Sequence, residues 1–136
     1  MAWLALFSKD CLAIDRKSGD QTSALIWGGS SSVGLYAVQI ARQHNSKVTI
    51  VCSPKHHEHV KSLGADHVFS YKSDDVVDQI RDATPRLQYI FDTIGDRSSS
   101  ATASHAFGEA GGTLCTVRPG KANTEGVSSQ ARLLMC

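Results

Sequence analysis

Several things are scarce in these 136 residues, and each scarcity excludes something. Charge of one sign is missing. Lys and Arg total 14 against 13 Asp and Glu, a net charge of +1, so no basic surface points to nucleic acid or an anionic membrane. Long apolar runs are missing too. No stretch approaches the ~20 residues that a membrane span needs. The opening MAWLALFSKDCLAI lacks a basic start, and Lys9 and Asp10 interrupt its apolar run. It reads as a helix with an apolar face rather than a secretory leader. The four cysteines, Cys11, Cys52, Cys115 and Cys136, form no C-x-x-C pair. That spacing argues against a zinc knuckle or redox dithiol. Three of the four lie in or beside apolar stretches, which favours free buried thiols in a reducing, cytoplasmic compartment.

What is present is an alternation of strand and helix signals. Residues 23–27 read as a buried strand and 32–44 as a helix, with Val33, Ala37, Ile40 and Ala41 on one face. Residues 47–53 are β-branched and strand-like. Pro54 opens the next helix and Gly64 closes it. Strand 67–71 follows, then an acidic helix with Ser73 as its N-cap. Residues 87–95 read as a strand entering a turn, 98–107 as a helix and 111–117 as a final strand. The expected fold is α/β, a doubly wound parallel sheet of about five strands in one domain. Residues 1–20 would form an N-terminal helix and connection, 21–118 the Rossmann domain, and 119–136 an irregular tail.

The turn GGSSSVG, residues 28–34, joins the first strand to the first helix. Free backbone N–H groups and the helix dipole make such a corner an anion site. Gly28 and Gly29 permit the sharp turn, and Gly34 lets the helix lie close to the sheet. Ser30, Ser31 and Ser32 add hydroxyl donors for a pyrophosphate. Ser31 occupies the slot where the dinucleotide fingerprint usually has its middle glycine. A plain structural turn capped by Ser32 is the bland alternative. A nucleophile elbow centred on Ser30 is a third reading, but Asp92 and His105 would have to complete it and lie too close in sequence. No Gly-Lys-Ser/Thr follows, which excludes a P-loop.

The second strand ends in VCSPKHH, without the acid that usually holds the ribose 2′-OH of NAD. Ser53 and Lys55 suit a 2′-phosphate, so NADPH is expected over NADH. His56, His57 and His59 lack the i, i+4 spacing that grips a metal from a helix, so no metal site is expected. Asp92, at the end of the fourth strand, reads as a residue hydrogen-bonded to its own turn. Tyr36 reads as a packing residue, and Lys61 as a surface one.

The segments ALIWGGSSSVGLYAVQIA, VTIVCSPKHHEHVKSLGADHVFSYKSDD, YIFDTIG and AFGEAGGTLCTV resemble the cofactor domain of medium-chain dehydrogenases/reductases. Within that superfamily they are most similar to trans-acting enoyl reductases of fungal polyketide pathways and related zinc-free quinone-reductase-like enzymes. The resemblance covers about residues 1–118. It implies NADPH-dependent hydride transfer to the β-carbon of an enoyl thioester. By position, residues 28–34 would hold the pyrophosphate, and Ser53, Lys55 and Tyr71 would meet the 2′-phosphate. Asp92, Thr93 and Ile94 would line the path to the nicotinamide, and the backbone near Val117 and Arg118 would flank its ring. Family members also carry a GroES-like catalytic domain ahead of the matching segment. Its absence from this sequence leaves a second reading open: a non-catalytic nucleotide-binding or interaction module. Such a module would pair with a polyketide synthase or a fuller reductase, or self-associate through Trp3, Leu4, Leu6 and Phe7.

Overall fold

The computed structural model describes residues 22–28, 32–43, 46–84, 86–94, 99–107, 111–116 and 131–135. Six parallel strands form one sheet in the order β3-β2-β1-β4-β5-β6. They are β1 Thr22–Trp27, β2 Ser46–Cys52, β3 His67–Ser70, β4 Tyr89–Asp92, β5 Gly112–Thr116 and β6 Ala131–Met135. Between them lie helices α1 Ser32–Gln43, α2 His57–Ser62, α3 Val76–Ala83 and α4 Ser99–Ser104, with a 3₁₀ turn at Pro54–His56 ahead of α2. This is the strand order of a doubly wound dinucleotide fold, with β1 in the interior of the sheet.

The strands read as nearly unbroken apolar runs because both faces are covered. Alternate residues of each strand feed opposite layers. Ile26, Val48, Ile50, Cys52, Phe91 and Cys115 pack under Ala37, Val38 and Ala41 of α1 and Val60 of α2. Leu25, Trp27, Val51, Ile90 and Leu114 pack under Val76 and Ile80 of α3 and Ala103 of α4, with Ala106 and Phe107 beyond it. Leu25 and Ile26 are wholly buried, one in each layer, and each contributes about 1.5–3 kcal/mol of hydrophobic burial.

Four expectations change. The tail is not irregular throughout: ARLLM, residues 131–135, forms β6 and pairs with β5 from Gly112↔Ala131 to Thr116↔Met135. A five-residue run without a β-branched side chain carries little strand signal of its own; the neighbouring strand supplies the conformation. The rest of the tail, and the N-terminal segment 1–20, lie outside the described residues. Ser73 does not cap α3. The N-cap position is Asp75, whose side chain makes no capping bond, and the Ser73 carbonyl accepts from the Val76 N–H at 3.3 Å. Tyr36 is 66% exposed, because it lies on the solvent side of α1, away from Ala37 and Val38. Cys115 is disulfide-bonded, so the expectation of a free thiol does not hold there. Cysteine spacing does not say which side chains a sheet brings together. Cys52 is free and buried, and desolvation pushes its thiol above the ordinary cysteine range.

Candidate nucleotide site

The sheet reverses direction of winding at β1. Its neighbour on one side is β2, on the other β4. Helices that follow β1 and β4 cover opposite layers, so a crevice is expected between the carboxyl ends of these two strands. The register brings the ends level: Trp27 pairs with both Val51 and Asp92, Cys52 pairs with Ser70, and Asp92 with Thr116.

Gly28 forms the corner. Its N–H donates to the Val51 carbonyl at 2.8 Å, which extends the β1–β2 ladder by one step. Its φ of +85° is open to glycine and strained for other residues. A Cβ there would sit 2.6 Å from both the Thr93 hydroxyl and Ile94 Cγ1. Thr93 closes the other side. Its hydroxyl donates within 2.8 Å of the Trp27 carbonyl and 3.0 Å of the Gly28 carbonyl, while its N–H donates to Trp27 at 3.0 Å. Asp92 is fully buried, and its Oδ1 accepts the Ile94 N–H at 3.0 Å, as expected of a turn-shaping acid. Ile94 stands 42% exposed at the rim.

Helix α1 starts at Ser32, four residues beyond Gly28, and has no acid in its first turn to compete for an anion. Gly34 is buried where α1 meets the sheet. Gly29, Ser30 and Ser31 lie outside the described residues, as do Val117 and the side chains of Ser32 and Val33. Along the rim, Ser53 follows β2; its carbonyl accepts the His56 N–H at 3.0 Å, and its side chain makes no capping bond to the 3₁₀ turn. Lys55 is exposed. Tyr71 follows β3 and is 49% exposed. The carboxyl edge thus carries, in order, Tyr71, Ser53 with Lys55, Gly28, and Asp92 to Ile94. The described candidates converge on one edge of the sheet, although they are spread over the sequence. Lys72 was passed over in the sequence; its Nζ lies 6.0 Å from the centroid of the Tyr71 ring. A cation next to a candidate at a strand end was the available signal.

A strand-turn-helix corner with an anion-ready helix start, set at the switch point of a 3-2-1-4-5-6 sheet, defines a dinucleotide-binding domain. The chain belongs to the zinc-binding dehydrogenase family, which it matches over residues 32–135, and is its nicotinamide-dinucleotide-binding part within the medium-chain dehydrogenases/reductases. It is 55% identical over 67 residues to the trans-enoyl reductase tazE of Aspergillus terreus, covering 49% of this chain and 22% of that protein. It is 37% identical over 111 residues to the dual trans-enoyl reductase/FAD-dependent monooxygenase tazHJ of the same species, covering 80% of this chain and 16% of that protein. The solved CurK enoyl reductase shares the fold with a TM-score of 0.78 at 17% identity, over 99% of this chain and 40% of that one. The chain therefore spans less than a quarter of either curated relative.

The family's description names zinc, and the donors among the described residues do not fit it. Among the described residues no three His, Cys, Asp or Glu side chains gather as a metal would need. His57 Nε2 lies instead within 3.4 Å of the Cys52 carbonyl, and His59 is exposed. A dinucleotide does fit: α1 begins at the same edge with no acid in its first turn, while the Cβ direction of Gly28 is filled by Thr93 and Ile94, so that glycine serves the close joining of the β1 and β4 ends.

Proposed function

We propose that this chain is the NADPH-binding domain of an enoyl-reductase-type oxidoreductase. In the full reaction, hydride would pass from NADPH to the β-carbon of an activated C=C, with a polyketide-type enoyl thioester as acceptor. The cofactor supplies the hydride; the chain's part is to bind and orient it. The corner from Gly28 to Gly34 would hold the pyrophosphate. Ser53, Lys55 and Tyr71 would take the 2′-phosphate. Thr93 and Ile94 would lead toward the nicotinamide, with Asp92 fixing their turn and the backbone at Val117 flanking the ring. Relatives named as trans-enoyl reductases support the enoyl class. A polyketide synthase as partner and a cytoplasmic setting complete this reading and rest on the family resemblance.

The observation that carries the cofactor choice is the end of β2. Ser53 and Lys55 stand there, and no carboxylate follows until Glu58, on the first turn of α2. A dianionic 2′-phosphate gains from a hydroxyl and an ammonium, whereas a free ribose 2′-OH asks for an acid. Fluorescence titration with NADPH and NADH tests this. NADPH is expected to bind more tightly, and Lys55→Ala to remove roughly tenfold of that advantage. Equal affinity of the unaltered chain for the two nucleotides would overturn the assignment. Adding a crotonyl thioester to the NADPH complex then tests turnover. Tight nucleotide binding without NADPH oxidation would favour the non-catalytic module.

A further inference from the structure

We infer that Lys72 is a second specificity-determining cation for the cofactor's 2′-phosphate, working from the end of β3 while Lys55 works from the end of β2. The inference rests on the NADPH assignment and adds a residue to it.

Cys52 and Ser70 are register partners, so Ser53 and Tyr71 leave the sheet side by side. Adjacent strands lie about 4.8 Å apart. The two loops therefore start within one phosphate's width of each other, and each carries a lysine within its first three residues. Lys55 and Lys72 are both exposed. Among the described residues neither has a carboxylate at ion-pairing distance; Arg42 with Asp66 is the pair formed there. Two unmatched cations on neighbouring strand ends repel each other weakly, and a bound dianion removes that repulsion.

The backbone under Lys72 is fixed. Its N–H donates to the Ser70 hydroxyl at 3.2 Å, and the Ser73 N–H donates to the Ser70 carbonyl at 3.2 Å. The nearby acid Asp75 is turned the other way, accepting from Gln79 Nε2 at 3.0 Å along α3. The Lys72 ammonium rests 6.0 Å from the centre of the Tyr71 ring, at the outer limit of a cation–π contact. It is held loosely on a rigid turn, so reaching a phosphate costs little. The Tyr71 ring supplies an apolar flank that lowers the local dielectric around that contact.

The test measures dissociation constants for NADPH, NADH and adenosine 2′,5′-bisphosphate with the full chain and three variants. Lys72→Ala is expected to weaken NADPH and the bisphosphate roughly tenfold and to leave NADH unchanged. Lys72→Arg should keep most of the preference, and Lys55→Ala/Lys72→Ala should abolish it. The Lys72 contribution should also shrink as salt rises, because the contact is solvent-exposed. Unaltered NADPH affinity in Lys72→Ala overturns the inference, as does an equal loss for NADPH and NADH. In both cases a preference lost in Lys55→Ala leaves the NADPH assignment standing. An unaltered chain that binds both nucleotides equally, or neither, overturns both.

Discussion

Two corners of the molecule are built around a left-handed glycine, one at each edge of the sheet, and they treat charge in opposite ways. At the amino edge Gly64 has φ +116°, and a Cβ there would lie 2.8 Å from Arg42 Cγ at the end of α1. The following acid, Asp66, has both oxygens engaged. Oδ2 accepts the Val48 N–H at 2.8 Å, and Oδ1 faces Arg42 Nη1 at 3.4 Å. At the carboxyl edge Gly28 is pressed against Thr93 and Ile94, yet the cations after β2 and β3, Lys55 and Lys72, have no acidic partner among the described residues. The KSLGAD run is therefore a brace that ties α1 to the start of β2 and β3. The ends of β2 and β3 carry lysines without an acidic partner among the described residues. Internal pairing marks the part that holds the fold, and unmatched charge marks the part where the cofactor's 2′-phosphate is proposed to bind.

The contrast can be broken by substitution. Gly28→Ala should act most strongly: a strained φ and a 2.6 Å approach to two side chains of β4's turn together cost about 2–4 kcal/mol. Thermal unfolding should show the loss, and NADPH titration should show weakened binding. A melting temperature and affinity like those of the parent would mean that the corner is looser than described. Asp66→Ala comes next. It leaves the Val48 N–H without its acceptor and should lower stability by about 2 kcal/mol with NADPH affinity intact. A fall in affinity without a fall in stability would join the two corners that are separated here. Arg42→Ala is the smallest. Its side chain is 51% exposed, so removing the ion pair should cost about 0.5 kcal/mol in denaturant unfolding, and less at high salt.

Much of the architecture was readable because it rests on local signals. ALIW and KVTIVC announce strands buried on both faces, and Gly64 announces the end of a helix. The expected turn role of Asp92 also follows from chemistry within two residues, and the structure contains that bond. What escaped depends on contacts distant in sequence. β6 is a strand because β5 lies beside it, and Cys115 is bonded because of where the fold puts it. The clamp from Thr93 to Trp27 and Gly28 joins residues more than sixty positions apart, which no spacing rule anticipates. Lys72 stood next to a chosen residue, but the pairing of its loop with the one that starts at Ser53 appears only once the β2–β3 register is known.

The Thr93 hydroxyl sits between two carbonyls of the β1 terminus and so rivets the mouth of one strand to the mouth of the next. Prising that seam apart would strand buried donors and acceptors together. With the nucleotide seated as proposed, the stretches that meet its adenosine and nicotinamide halves should accordingly keep a constant span, whichever nucleotide enters. On the proposed assignment, cofactor preference can then drift, or be re-engineered, through the projecting side chains after β2 and β3 while the ruler on which they stand stays the same length.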